Sequence, residues 1–255
     1  MIKLCDLSFS YNNHKILSYI NAEFKKGEMC CVIGKNGCGK TTLLKLISRL
    51  LEPDNGKIYL DNKSISEYER KHFARKLAYL PQITNNPSIS VTDLVSHGRF
   101  PYLGFSRLLS PPDKTAVDNA LSVTDMKSVK HKNLQTLSGG ERRRAYIAML
   151  FAQDTEYMLL DEPCAFLDIR CKFDIMELLK QMKNKNKAII TVMHDLDLAL
   201  KYGDKILVID NNEIAFHGSP DKLIKANILE KVFGVECIKT LIGNTVEYIC
   251  RPKIT

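Results

Sequence analysis

Met29-Cys30-Cys31-Val32-Ile33-Gly34-Lys35-Asn36-Gly37-Cys38-Gly39-Lys40-Thr41 runs five apolar residues straight into the pattern G-x-x-x-x-G-K-[ST]. The unbroken apolar run reads as a strand buried on both faces. Behind it, Leu43, Leu44, Ile47 and Leu50 recur at helical spacing over Thr41–Leu51. Strand, glycine-rich loop and helix in that order form a phosphate cradle. Gly34, Asn36, Gly37, Cys38 and Gly39 wrap backbone N–H groups around a β-phosphate, and the helix N-terminus adds its partial positive charge. Lys40 would neutralise the β/γ oxygens, Thr41 would ligate Mg²⁺, and Thr42 could reach an α-phosphate. A glycine-rich turn without a ligand is the competing reading, and the flanking strand and helix argue against it.

Outward from this loop the chain alternates. Residues 2–9 and 19–24 read as strands around a turn at Asn12-Asn13-His14, and Gly27-Glu28 precedes the buried run. Pro53-Asp54-Asn55-Gly56 is a turn, followed by strands at Lys57–Leu60 and Lys76–Leu80, the latter closed by Pro81. From about Ile83 to Phe151 strands stop. Turns are expected at Phe100-Pro101 and Ser110-Pro111-Pro112, with helices over Asp113–Asp125 and Glu141–Phe151. Strands resume at Tyr157–Leu160, Ala188–Met193, Lys205–Ile209 and Ile214–His217, with a helix near Asp168–Asn184. The pattern predicts an α/β fold: a mainly parallel sheet, a small antiparallel β layer beside it, and an inserted α-helical subdomain. One domain spans 1–255, its core formed by 1–82 and 152–255 and its helical subdomain by 83–151.

The composition, 45% hydrophobic and 26% charged over 255 residues, is that of an ordinary globular chain that folds throughout. Runs such as Tyr157–Leu160 and Ala188–Met193 fall far short of the ~20 residues a bilayer demands. Residues 1–6 show no apolar signal core. A cytoplasmic protein is expected, unless it docks on something that spans. The net charge of +8 reads as surface lysine solvation or as attraction to polyanions (nucleotide phosphate, nucleic acid or an anionic membrane face); the lysines are spread along the chain and not banked with aromatics, so charge does not discriminate and does not by itself indicate nucleic acid. The eight cysteines (5, 30, 31, 38, 164, 171, 237 and 250) show no C-x-x-C pair and no zinc-type spacing. Reduced, mostly buried thiols are expected. Cys38 is singled out, because helix N-terminal amides could lower its pKa and make it alkylatable.

Two further segments carry chemistry. Tyr157-Met158-Leu159-Leu160-Asp161-Glu162 is an apolar strand ending in two acids, placed at a carboxyl edge where open sheets bind ligands. Asp161 is the expected outer-sphere Mg²⁺ partner and Glu162 the general base that polarises an attacking water. Either carboxylate could instead merely cap the next helix. Leu137-Ser138-Gly139-Gly140-Glu141 reads first as a capping box, S-x-x-E ahead of a helix. It also reads as a second anion site, two glycines at a capped helix N-terminus. Two anion sites for one nucleotide are redundant unless they belong to different chains.

In this order the motifs resemble the ATP-binding cassette (ABC) ATPases from end to end of the chain. The resemblance implies that Ser138, Gly139 and Gly140 act on ATP held by a second copy, in a homodimer with MgATP at its interface. It implies adenine stacking for Tyr11, where a core tyrosine is the alternative. Gln82 would be the lid glutamine that senses Mg²⁺ or water, Asp168 of Ala165-Phe166-Leu167-Asp168 the residue that crosses to the partner, and His194 the switch histidine at the γ-phosphate. Seen alone, Gln82 carries no signal and His194 reads as a helix-start residue. Glu141 and Arg143 stand where many relatives have glutamine, Cys164 where Thr or Ser is commoner, and Asn211-Asn212 replace a glycine-containing turn. None of these departures touches a named role, and active hydrolysis is expected.

Val91-Thr92-Asp93-Leu94-Val95, followed by His97-Gly98-Arg99-Phe100-Pro101-Tyr102, resembles the insertion of importers for ferric siderophores, haem and cobalamin. His194–Leu200 and Val232-Phe233-Gly234-Val235 point the same way. An ordinary proline turn is the structural alternative for Gly98–Tyr102. The resemblance implies integral-membrane permease subunits docked on that segment, an indirect link to a substrate-binding protein, no nucleic acid, and a place at the cytoplasmic face of the cell membrane. Another cargo (zinc, manganese or an efflux substrate) and a non-transport ABC ATPase stay as alternatives.

Overall fold

The computed structural model describes residues 1–82, 86–104 and 108–253. The start of the helical insertion expected at residue 83 therefore lies outside the described residues. Along the chain come β1 (Ile2–Tyr11), β2 (His14–Phe24), β3 (Met29–Gly34), α1 (Lys40–Ile47), β4 (Asn55–Leu60), β5 (Lys63–Ser64), α2 (Arg70–Lys76) and β6 (Leu77–Leu80). Three helices follow, α3 (Val91–His97), α4 (Pro111–Val123) and α5 (Gly139–Ala152). The chain then returns to β7 (Tyr157–Asp161), α6 (Ile169–Asn184), β8 (Ala188–Val192), α7 (Leu196–Tyr202), β9 (Lys205–Asp210) and β10 (Glu213–Gly218). It closes with α8 (Pro220–Lys225), α9 (Ile228–Phe233), β11 (Val235–Ile242) and β12 (Thr245–Pro252).

A six-stranded sheet, order β10-β9-β3-β8-β7-β6, is parallel except for β10. An antiparallel sheet of order β2-β1-β4-β5 lies beside it. Alternation along the strands explains how they pack. Met29, Cys31 and Ile33 of β3, with Met158 and Leu160 of β7, enter the core shared with α5 and α6. Cys30, Val32, Tyr157 and Leu159 enter a second core against α1 and the antiparallel layer. Both faces of the sheet are thus covered, as the continuous apolar runs require. The β1–β2 turn comes where expected: Asn12 and Asn13 take φ of 47° and 66°, the left-handed pair of a tight hairpin turn.

Parallel pairing has a direct consequence for function. It brings the carboxyl ends of β3, β6, β7 and β8 to one edge, so the loops leaving them share one crevice. Leu80 pairs with Leu160, and Asp161 with Val192. Gln82, Glu162 and His194 then lie two residues or fewer beyond that line.

Among the described residues, the helical insertion is tied to itself by one buried ion pair. Arg99 Nε donates to Asp113 Oδ1 at 2.9 Å, and its Nη1 donates to the Ala152 carbonyl at 2.8 Å. The Ser110 hydroxyl, with the Arg99 guanidinium, holds the Asp113 carboxyl below the usual carboxylate range. The stability this gives is complete above the ordinary carboxylate pKa and is lost as pH falls through the depressed one. Asp113→Ala should cost about 3–5 kcal/mol, because it strands a buried guanidinium. Urea melts should show that loss at neutral pH, with the gap to wild type closing in acid.

Ser110-Pro111-Pro112 is not a free turn: Pro111 opens α4, where a missing N–H costs nothing. Sequence reading also missed α2, α8 and α9, each six or seven residues long, and the β11–β12 hairpin. The hairpin overturns the expectation that all eight cysteines are reduced. Its register sets Cys237 opposite Cys250, with Cα atoms 4.1 Å apart, and the two form a disulfide. A separation of 13 residues carries no signal until the strands pair. Reduction should loosen the hairpin by up to about 3 kcal/mol, read as faster amide exchange over residues 235–252 in dithiothreitol. Equal exchange in both states would contradict it.

Candidate nucleotide site

A cleft of about 780 Å³ opens at this carboxyl edge. Tyr11, Asn36, Gly37, Gly39, Lys40, Thr41 and Thr42 line one side, and Glu162 and His194 line the other. The glycine loop is held by contacts that only glycine allows. A Cβ on Gly34 would sit 2.4 Å from the Ile209 carbonyl oxygen, and Gly39 takes φ of 100° with Leu17 2.8 Å from its Cβ position. Lys40 is buried, its Nζ donating to the Gly34 and Lys35 carbonyls at 2.8 and 2.9 Å. The ammonium is thereby held inside the loop whose amides would cradle a phosphate. Cys38 departs from expectation: burial pushes its thiol up, outweighing the nearby Lys40 ammonium and backbone N–H groups that pull it down.

Beneath the loop, Thr41 Oγ1 donates to Asp161 Oδ1 at 3.1 Å across 120 residues of sequence. Asp161 is 2% exposed and burial raises its pKa, a carboxylate that a cation would relieve. The described residues contain no cluster of three or more His, Cys, Asp or Glu able to cage a metal. A hydroxyl and a carboxylate fit Mg²⁺, which commonly fills its remaining positions with phosphate oxygens and water.

Glu162, with φ of 50°, is clasped from both sides. Gln82 Nε2 donates to its Oε2 at 3.0 Å, and His194 Nε2 meets its Oε1 at 2.5 Å. These contacts span 80 and 32 residues of sequence. The three side chains converge only because β6, β7 and β8 are parallel neighbours. A carboxylate held in this way can take a proton from a water placed between it and a phosphate.

Tyr11 stands at the mouth of the cleft, 42% exposed and edge-on to Phe9 with ring centroids 4.8 Å apart, leaving a ring face for a base. The residues expected to act on a second copy are placed differently. Ser138, Gly139, Gly140 and Asp168 do not line the cleft of their own chain; Gly34, Cys38, Gln82 and Asp161 do not either, but each of these contacts Lys40, Thr41 or Glu162, which do. The capping box at Ser138 is formed: Glu141 accepts from the Ser138 N–H at 2.9 Å, and the Ser138 hydroxyl accepts from the Glu141 N–H at 3.3 Å. The Ser138 N–H and hydroxyl hold the Glu141 carboxyl below its ordinary range. Asp168 likewise caps α6, accepting from the Cys171 N–H at 2.9 Å.

Sequence reading missed Lys172 and Asp195, which line the cleft and pair at 2.8 Å. Nothing local marks them, since the pair joins α6 to the loop before α7. Arg143, which the sequence marks only as a departure from the family pattern, is 7% exposed with Nη1 free of hydrogen bonds among the described residues, and burial lowers its pKa against the opposing pull of Cys164 and Glu162.

A phosphate loop, an acidic strand end and a capped glycine pair on an inserted helical region define a nucleotide-binding ATPase of the cassette class. Residues 17–165 match the ABC transporter family model, and the chain belongs to that family. It is 40% identical to the petrobactin import ATP-binding protein FpuD of Bacillus anthracis, over 91% of this chain and 85% of that one. It is 35% identical to the ferric enterobactin transport ATP-binding protein FepC of Escherichia coli K12, over 91% and 86%. In fold it matches an inward-facing ABC transporter provisionally assigned to the metal-chelate type, at TM-score 0.86 and 23% identity, over 99% of this chain and 97% of that one.

Proposed function

We propose that this chain is the ATP-hydrolysing subunit of an importer for an iron complex, working as a homodimer on separate permease subunits. The observation that carries the dimer is the split site: the cleft gathers one half of the expected ligands, while Ser138–Gly140 and Asp168 lie outside it. Gly139 supports the same reading. Among the described residues a Cβ there would meet nothing closer than Leu167 Cδ2 at 4.0 Å, so no packing contact in them calls for a glycine at this position. A phosphate approaching from a second copy would explain it.

In the assembled site the loop from Gly34 to Gly39 wraps the phosphates, with Asn36 and Cys38 contributing backbone N–H groups. Lys40 neutralises the β/γ oxygens, Thr42 reaches the α-phosphate, and Tyr11 stacks on adenine. Thr41 would ligate Mg²⁺, with Asp161 as its outer-sphere partner and Gln82 sensing the ion or its water; bound there, the ion would offset phosphate charge. Glu162 accepts the proton of the attacking water while His194 fixes the carboxylate and contacts the γ-phosphate. Ser138, Gly139 and Gly140 close from the second chain, with Asp168 crossing beside them. Binding at both ends of ATP favours the closed dimer, and hydrolysis removes that preference.

Coupling is assigned to the segment His97–Tyr102, of which part is internal. Arg99 is buried, Tyr102 Oη donates to the Gln153 carbonyl at 2.9 Å, and a Cβ on Gly98 would sit 2.2 Å from the Met149 carbonyl. Phe100, stacked near His97, is left 58% exposed for a permease. None of the described helices is long and apolar enough to cross a membrane, in keeping with a separate permease and a peripheral place on the cytoplasmic face. The relatives named for petrobactin and ferric enterobactin favour a ferric siderophore over haem or cobalamin; in the proposed system a substrate-binding protein delivers it to the permease. The test is affinity capture from detergent-solubilised membranes, followed by uptake assays with ferric siderophore, haem and cobalamin in cells lacking the chain. A copurifying polytopic permease and lost ferric-siderophore uptake are expected. Capture of ribosomes, or unchanged uptake of all three, would overturn the assignment.

A further inference from the structure

The two segments left outside the cleft touch each other. A Cβ on Gly140 would lie 2.6 Å from Cys171 Sγ and 3.5 Å from Cys171 Cβ, so the thiol already fills the space beside that glycine. Cys171 also serves Asp168. Its backbone N–H donates to Asp168 Oδ1 at 2.9 Å, and the same carboxylate pushes the thiol pKa up. One small side chain therefore meets both the first turn of α5 and the residue that caps α6.

Gly140 does not take a left-handed φ, so its backbone conformation would admit alanine. What excludes a larger residue from within the chain is Cys171. The contact also bridges two parts of the fold, since α5 belongs to the helical insertion and α6 to the α/β core. Any rotation of the insertion against the core must shear it.

We propose that Cys171 is a positioning residue that keys the Ser138–Gly140 turn to the Asp168 loop, so that both reach the second copy's nucleotide at one fixed spacing. This rests on the reading that these segments act across a dimer. Cys171 touches no nucleotide itself. Its effect passes through the two segments it holds, and it should appear in turnover and dimer closure while ATP binding by the single chain is spared.

A double-mutant cycle on the full chain tests this, with MgATP hydrolysis and ATP-driven dimerisation in a Glu162→Gln background as readouts. Gly140→Ala drives a Cβ into the thiol and should lower kcat about tenfold or more, with dimerisation weakened in parallel. Cys171→Ala leaves a 3.5 Å approach, an ordinary contact, and should cost only a few-fold in kcat with KM unchanged. Combined, the two should return activity to within about threefold of Cys171→Ala alone, a recovery that independent sites cannot give. Cys171→Ser, small and still a donor to Asp168, should behave as wild type. Cys171→Leu should reproduce Gly140→Ala without changing the thermal melting point or ATP binding by the monomer. A double variant as inactive as Gly140→Ala, or a fully active Cys171→Leu, overturns the proposal. Mixed dimers carrying Ser138→Arg in one subunit report separately on the dimer reading. Damage confined to the nucleotide of the mutated subunit defeats that reading whatever the cycle gives. Damage to the other subunit's nucleotide, together with no recovery in the cycle, defeats only the role of Cys171.

Discussion

Glu162→Gln is expected to keep MgATP binding and to lower turnover by about 10²- to 10⁴-fold, the range a positioned general base supplies. The substitution keeps the size of the side chain and its reach to Gln82 and His194, whose contacts hold it at 3.0 and 2.5 Å. It replaces the basic carboxylate that takes the proton from water with a non-basic amide. Binding should persist because the loop from Gly34 to Thr41 does not depend on Glu162 for its shape: Lys40 is tied to the loop's own carbonyls, and the closest contacts of Gly34 and Gly39 are to Ile209 and Leu17. With closure intact and hydrolysis blocked, the ATP-bound dimer should accumulate on size-exclusion chromatography. Wild-type turnover by the variant would remove Glu162 as the base. His194→Ala should fall in the same direction, since it releases one side of the carboxylate.

Ser138→Arg, placed in one subunit of a mixed dimer, should abolish hydrolysis at the nucleotide bound by the other subunit. The guanidinium would stand where the capped turn offers a small hydroxyl and two glycine amides. Within its own chain the change is mild. Ser138 is exposed, the cleft does not include it, and the helix loses one cap worth about 1 kcal/mol. A fold-preserving substitution with a loss of about 10²-fold or more in the opposite site is difficult to explain except by a shared active site. Subunits made distinguishable by a Lys40→Ala change, which empties one loop, allow the two sites to be read separately. Loss only at the mutated subunit's own nucleotide would refute the trans arrangement.

Much of the site was legible because its pieces are local. The loop Gly34–Thr41 needs only a preceding strand and a following helix, and both are encoded within a few residues of it. Asp161 and Glu162 declare themselves by ending an apolar run. The capping box at Ser138–Glu141 is written in four residues and forms as read. Legibility failed wherever a contact depends on strand pairing or helix packing at a distance. Cys237 and Cys250 look like two more buried thiols until the hairpin register sets them opposite one another. Lys172 and Asp195 look like surface charges until α6 and the loop before α7 meet at the cleft. The amides around Cys38 were read correctly from the motif, but the burial that outweighs them comes from the packed loop, which the motif does not display. The short helices α2, α8 and α9 were missed because six or seven residues carry too little periodicity, and their stability comes from docking.

By itself the sequence determined that the chain binds a nucleotide phosphate, the order in which its chemical groups occur, and the α/β core with a helical insertion that orders them. Backbone conformation and short-range capping are governed by nearest neighbours, so a linear reading can reach them. Only the tertiary structure decided which groups share a site. Thr41 meets Asp161 across 120 residues, and Gln82 meets Glu162 across 80, because parallel strands align their carboxyl ends. The same sheet order leaves Ser138–Gly140 and Asp168 outside the cleft and presses Gly140 against Cys171. Those placements follow from packing many apolar side chains on two faces of one sheet, a global balance that no single stretch of sequence contains.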